Sequence, residues 1–321
     1  MSRIYHGPDV ESDFHGQFPW KSQYVDISDG IRQAVVDEGP RTSPVTFVLL
    51  HGNPTWGFLY RKFIAELSKD YRVVVPDHVG FGRSDKPRDP SYYTLDRHIE
   101  NLTATLNHLH VDRAVLVVQD WGGPIGLGWA TRYPERTVGF VILDTWAFVK
   151  DPPMKLPWLF KLLVLGKGGW RRATQNNIFT ELFLIRGAKL DAATAEAYRV
   201  PHPTPEDRIG IARFPQLIPE THNPGHESWR TMAAIEDRLS ALSDRPALVV
   251  WGSKDPAFRK EHMERWTSVF RTVDGPHMLP RVKHYLQEEA PQEILARIRA
   301  WADRELHSPV EGLGRAPALR S

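Results

Sequence analysis

The chain has 321 residues, 41% hydrophobic and 25% charged, with a formal net charge of +2 and no cysteine. This is the make-up of a globular protein with one large domain or two modest ones, and it excludes disulfides, thiolate nucleophiles and Cys-ligated zinc. Lys and Arg are scattered rather than striped, the N-terminus MSRIYHGPDV lacks the apolar centre of a signal peptide, and no run approaches the ~20 apolar residues of a membrane span; a cytoplasmic protein with no nucleic-acid and no membrane partner is expected.

Residues 23–37 read as a hairpin, with Asp29-Gly30 as a type I′ turn signal. Apolar runs then alternate with helical patterns. The runs are Phe47–Leu50, Val73–Val75, Ala114–Val118, Phe140–Leu143 and Ala247–Trp251. They lack period-2 alternation, which marks strands buried on both faces of a parallel sheet. Helices are predicted at 61–69, 95–110 and 124–133, the second from Leu95, Ile99, Leu102, Leu106 and Leu109. The expected fold class is α/β, a mostly parallel sheet flanked by helices. Residues 146–220 carry no strand pattern and hold Trp146, Phe148, Trp158 and Phe160 and a proline-rich stretch. They read as a helical cap over the carboxyl edge of the sheet, where open α/β sheets bind ligands. The core is then built from 1–145 and 221–307, with 308–321 a mobile tail.

The loops that follow the strands carry the chemistry. Gln119-Asp120-Trp121-Gly122-Gly123 joins a strand to a glycine-rich helix start, the setting of a nucleophile elbow. A helix-capping aspartate is the plainer alternative. If Asp120 is a nucleophile, it is ionised without help, since its reference pKa is ~3.9. It can displace a leaving group from sp³ carbon, and a base is then needed only to hydrolyse the resulting ester. His277 and His284 both lie late enough to be that base, and His284, opening a helix, is preferred. The acid that orients it is Asp255, with Asp144 as competitor; both end strands, where turn aspartates are common. His98, His108 and His110 on the 95–110 helix are expected to be exposed or locally bonded. In His51-Gly52-Asn53-Pro54 the loop position can supply an oxyanion-hole N–H. Asn53 and Trp121 also bear side-chain N–H donors suited to charge developing on a leaving group. Gly80-Phe81-Gly82-Arg83-Ser84 lacks the third glycine of a dinucleotide fingerprint and reads as a turn, and there is no P-loop.

These segments, together with Asp77-His78-Val79-Gly80-Phe81-Gly82-Arg83-Ser84-Asp85-Lys86-Pro87, Tyr198-Arg199-Val200-Pro201-His202-Pro203-Thr204-Pro205 and His284-Tyr285-Leu286-Gln287-Glu288-Glu289, resemble the haloalkane dehalogenases over residues 23–305. The resemblance implies an α/β-hydrolase fold and hydrolysis of a halogenated alkane to alcohol, halide and a proton, without cofactor or metal. It implies Asp120 as nucleophile, His284 as base, Asp255 as acid, and Asn53 with Trp121 as halide donors. Lys283 stands where a glycine is common, and Asp144-Thr145-Trp146 departs from the best-known subgroups, so substrate range is not carried over. An epoxide hydrolase shares the triad but usually has two cap tyrosines, and 146–220 contains only Tyr198. A non-catalytic ligand-binding member of the fold and a luciferase-like oxygenase are further alternatives. The base must be neutral to act, so activity is expected to fall below its pKa, near ~6.5 unless Asp255 raises it.

Overall fold

The computed structural model describes residues 4–5 and 13–306; the tail expected at 308–321 lies outside the described residues. Eight strands form the main sheet: β1 (Gln23–Asp26), β2 (Arg32–Glu38), β3 (Thr46–Leu50), β4 (Arg72–Pro76), β5 (Ala114–Asp120), β6 (Thr137–Thr145), β7 (Ala247–Gly252) and β8 (Val273–Leu279). Their order is β8-β7-β6-β5-β3-β4-β2-β1. From β8 to β4 all neighbours run parallel, while β2 pairs antiparallel with β4 and β1 antiparallel with β2.

The β1–β2 hairpin turns at Ser28–Ile31, where Ile31 N–H bonds the Ser28 carbonyl. Asp29 and Gly30 both take positive φ, +60° and +71°, as a type I′ turn requires. Every residue of β3 and β7 is buried, because helices cover both faces. The strand β8 has no continuous apolar run to betray it. It is a half-exposed edge strand containing Pro276, with a register shift between Asp274 and His277, and edges are where a sheet tolerates proline.

The first three long helices are α1 (Arg61–Leu67), α2 (Leu95–His108) and α3 (Gly122–Ala130), each within a few residues of its predicted span. The Thr94 hydroxyl caps α2 by accepting from Arg97 N–H at 3.1 Å, and Leu95, Ile99, Leu102 and Leu106 bury its inner stripe. His98, expected to be exposed or locally bonded, is instead buried on that stripe, beside His78 and Phe214, with neither ring nitrogen hydrogen-bonded. Burial holds its imidazole well below the usual range, in the neutral form. His108 and His110 are exposed.

Among the described residues, 146–220 contains helices and no strand. A short helix at Trp158–Phe160 continues as a wider turn over Lys161–Leu165, followed by Gly169–Thr174, Phe179–Arg186, Ala192–Arg199 and Ile209–Arg213. This segment lies against the loops that follow the strands. Asn53 Nδ2 donates to the Ile211 carbonyl at 3.2 Å, Trp56 Nε1 to Ala197 at 3.1 Å, and Lys283 Nζ to Gly187 at 2.9 Å.

Candidate active site

Asp120 ends β5 with φ at +49°, in the left-handed region that costs an L-residue about 1–2 kcal/mol. Close packing behind the turn maintains it. A Cβ on Gly122 would run into the Leu50 carbonyl and one on Gly123 into the Thr145 hydroxyl. The Thr145 hydroxyl also donates to the Asp120 carbonyl. The carboxyl is thereby lifted above the sheet edge toward the loop after β3. There Asn53 N–H donates to its Oδ1 at 2.7 Å, and Trp121 N–H also bonds the carboxyl. A Cβ on Gly52 would fall onto the same carboxyl, so this loop must carry glycine to come that close. Behind it, His51 Nε2 accepts from His78 N–H at 2.9 Å and Nδ1 donates to the Gly52 carbonyl at 2.9 Å, bracing the loop.

His284 lies 3.6 Å from Asp120, between Nε2 and Oδ2. Its Nδ1 is 2.8 Å from Asp255 Oδ2. Asp255 is fixed in turn, its Oδ1 accepting from Ala257 N–H at 2.5 Å and Phe258 N–H at 3.0 Å. Gln119 Nε2 faces His284 Nε2 at 3.1 Å and also donates to the His284 carbonyl at 3.2 Å. A carbonyl only accepts, which puts the amide nitrogen on that side. When the ring is neutral its hydrogen therefore sits on Nδ1, toward Asp255, and the Nε2 lone pair accepts from the Gln119 amide beside Asp120.

Burial works against charging His284, but the Asp255 carboxylate and then the Asp120 carboxylate outweigh it and push the imidazole up to about 9. This is well above the ~6.5 expected from the reference value. For Asp120, burial raises the carboxyl, opposed by His284 and by the Asn53 and Trp121 N–H groups.

Both candidate acids are present, and they are not equivalent. Asp255 touches the imidazole. Asp144, fully buried, accepts from Gly252 N–H on Oδ1 at 2.9 Å, and its Oδ2 has no hydrogen-bond partner among the described residues. Burial first, then the charge of Asp255, pushes the Asp144 carboxyl well above the ordinary range. As a neutral acid it can donate to Asp255. Asp144, Asp255 and His284 have ligand atoms within 4.8 Å of one another, which would also suit a cation. Here the imidazole N–H already answers the charge of Asp255.

His277 is not brought to the site. It lies on β8, paired with Asp274 at 2.6 Å and with Arg297 at 2.9 Å. Trp121 is wedged between Trp146 and Phe214, each at 5.0 Å between ring centroids, and its indole N–H has no partner among the described residues. Of the other aromatics of 146–220, as suited to cap core as to a substrate wall, Phe148 packs into the core on Trp266, Phe160 is half-buried and Trp158 is 74% exposed. Phe258, which no motif flagged, stacks on Trp146 and lies 5.6 Å from His284. Tyr198 is fully buried and donates its hydroxyl to Glu288 at 2.6 Å, where Arg61 also binds as a fork.

The α/β hydrolase fold family model matches residues 45–291. A haloalkane dehalogenase 2 of Mycobacterium tuberculosis is 34% identical over 289 residues, 88% of this chain and 94% of that one. The chain belongs to the haloalkane dehalogenase family of the α/β-hydrolase fold. A cis-3-alkyl-4-alkyloxetan-2-one decarboxylase of Xanthomonas campestris pv. campestris is equally similar, 34% identical over 292 residues, covering 87% of this chain and 95% of that one. Among solved structures, a tetrameric haloalkane dehalogenase from Paraglaciecola agarilytica NO2 superposes with a TM-score of 0.78 at 28% identity, covering 96% of this chain and 99% of that chain. Membership of this dehalogenase family confirms the fold class expected from the alternating strands and helices.

Proposed function

We propose that this protein is a haloalkane dehalogenase, with residues 146–220 as its cap. The observation that carries the reading is a carboxylate at the elbow, Asp120, held by two backbone N–H groups and faced by an imidazole whose far nitrogen is bonded to a second carboxylate. A serine hydrolase needs its base to create the nucleophile. Here the nucleophile is charged already, which suits displacement at saturated carbon.

In the first step Asp120 Oδ2 attacks the halogen-bearing carbon. The C–O ester bond forms, the C–X bond breaks, and its electron pair leaves with the halide. The Trp121 indole N–H and the second N–H of the Asn53 amide are the donors for that charge. In the second step His284 Nε2 takes a proton from water, and the hydroxide adds to Asp120 Cγ. The oxyanion at Oδ1 stays under the Asn53 and Trp121 backbone N–H groups. Collapse breaks the ester and returns the Asp120 carboxylate. The alkoxide takes the water proton held on His284, and the water's other proton, left on the Asp120 carboxyl, is released with the halide.

Esterification removes the Asp120 charge, one of the charges that raises His284. The imidazole thus becomes easier to deprotonate in the state in which it must act. An epoxide hydrolase reading is disfavoured, because the only tyrosine in 146–220 spends its proton on Glu288. A second reading is favoured by the equally similar decarboxylase: Asp120 attacks the ring carbon of a strained four-membered lactone, forming an ester as the ring C–O bond breaks to a carboxylate, and loss of carbon dioxide from that carboxylate forms a C=C bond and expels Asp120.

The test is a halide-release screen with bromoalkanes, alongside carbon dioxide release from a cis-3,4-dialkyl-oxetan-2-one. Halide release, abolished in Asp120→Asn, together with an alkyl adduct on Asp120 in His284→Phe, is expected. Carbon dioxide with no halide and no adduct transfers the site to the second reading.

A further inference from the structure

Six of the seven large apolar side chains exposed among the described residues fall between 158 and 182: Trp158, Leu159, Leu162, Leu165, Trp170 and Leu182. Trp158, Leu162 and Leu165 follow i, i+4, i+7 spacing and share one face of the 158–165 helix. The opposite face, Phe160, Leu163 and Val164, packs on the core. The helix is therefore apolar all round, although only one face is covered by protein. Arg172 holds it in place, donating to the Leu163 carbonyl at 2.6 Å and the Leu162 carbonyl at 3.1 Å.

Charge gathers on the same segment. Residues 150–190 hold eight Lys and Arg against Asp151 and Glu181, although the chain as a whole is only +2. Lys155, Lys167 and Arg171 are exposed and have no acidic partner among the described residues. Exposed Trp and Leu interleaved with unpaired cations is the composition of a helix that lies in a bilayer interface. A second copy of the chain would suit this face poorly. Two identical patches meeting about a two-fold would set Lys and Arg against Lys and Arg.

We propose that the exposed face of residues 158–170 docks on an anionic lipid bilayer, with Trp158, Leu162 and Leu165 entering the interface and Lys155, Lys167 and Arg171 meeting the headgroups. No helix of the described residues is long and apolar enough to cross a membrane. The protein lies on the surface rather than spanning it. Such docking would depart from the expectation of no membrane partner, which rested on the lack of a spanning segment. The docked face belongs to the helical segment 146–220, whose Ile211 and Ala197 carbonyls accept from Asn53 and Trp56.

The test is co-sedimentation of the full chain with extruded vesicles of phosphatidylcholine alone or containing phosphatidylglycerol. Three proteins are compared: wild type, Trp158→Ser/Leu162→Ser, and Lys167→Glu/Arg171→Glu. All four positions are exposed and outside the catalytic machinery, so thermal melting and turnover of a water-soluble substrate are expected to match the wild type. Expected are binding to the phosphatidylglycerol vesicles that weakens with salt, much weaker binding to phosphatidylcholine, and a loss of about fivefold or more for each charge removed. The Trp158→Ser/Leu162→Ser variant should also lose binding. Absence of vesicle binding, or equal binding to neutral vesicles, overturns the proposal. So does self-association in sedimentation velocity that disappears in Trp158→Ser/Leu162→Ser.

Discussion

His284 Nδ1 lies 2.8 Å from Asp255 Oδ2, within hydrogen-bonding distance, whereas its Nε2 stays 3.6 Å from Asp120 Oδ2. The imidazole is committed to Asp255 and uncommitted to Asp120. The gap on the Asp120 side is where a water must come to attack the ester.

The charge balance of this pair can be read by titration. In the free protein the two carboxylates push His284 up to about 9, so it is protonated at neutral pH. In Asp120→Asn, which mimics the uncharged ester, NMR of the imidazole should give a pKa below about 9. Turnover limited by ester hydrolysis should rise with pH, since neutral His284 is the base. A profile that rises as pH falls would contradict the assignment, as would an unchanged imidazole pKa in Asp120→Asn.

The two acids should respond differently to the same substitution. Asp255→Asn removes the carboxylate that holds the Nδ1 hydrogen and stabilises the imidazolium. Ester hydrolysis should slow by up to about 10⁴-fold, the scale of such a loss in another triad, and the Asp120 adduct should accumulate. Asp144→Asn keeps an acceptor for Gly252 N–H and a donor toward Asp255. It should cost about 1 kcal/mol or less, seen as near-normal single-turnover rates.

The donors around the leaving group give a third expectation. Trp121→Phe keeps the ring between Trp146 and Phe214 but removes the N–H. Loss of one such donor costs about 2.7–4 kcal/mol, so halide release in a stopped-flow burst should fall by about 10²–10³-fold. Turnover unaltered by Trp121→Phe would point to a reaction whose leaving group does not meet that indole.

Tyr198→Phe separates structure from chemistry. The hydroxyl bonds a buried Glu288, and its loss should lower stability by about 1–3 kcal/mol. Turnover below the melting transition should be unchanged, whereas a tyrosine that protonated an epoxide would take the activity with it.

Much of the site was legible in the sequence because its residues follow strands, and strands buried on both faces announce themselves as unbroken apolar runs. Asp120, Asn53, Trp121 and Asp255 all lie at or after such strands, whereas His284 follows the edge strand β8, which has no such run, and is placed by its position late in the chain. What stayed open depended on the third dimension. Asp144 and Asp255 both end strands, and β6 and β7 are neighbours, so no local pattern says which carboxyl meets the imidazole and which lies behind it. Gln119 sits beside the nucleophile in sequence, yet its role depends on a histidine 165 residues away. Trp158 and Phe160 have the composition of a cavity wall. A hydrophobic residue in a helix over a cleft can face either way, and Trp158 faces out. His98 is placed by an apolar stripe that has no partner for its ring.

Glu288 stands one helical turn after His284 and joins Arg61, just past the Asn53 loop, to Tyr198 in the helical segment. The partners are 227 and 90 residues away in sequence. During synthesis Arg61 therefore leaves the ribosome long before its counter-ion. Until residue 288 arrives, that guanidinium has the Phe58 carbonyl but no carboxylate to offset its burial. The segment that carries His284 thus also brings the carboxylate that ties the helical segment to the core, so both arrive late in the synthesis of each new chain.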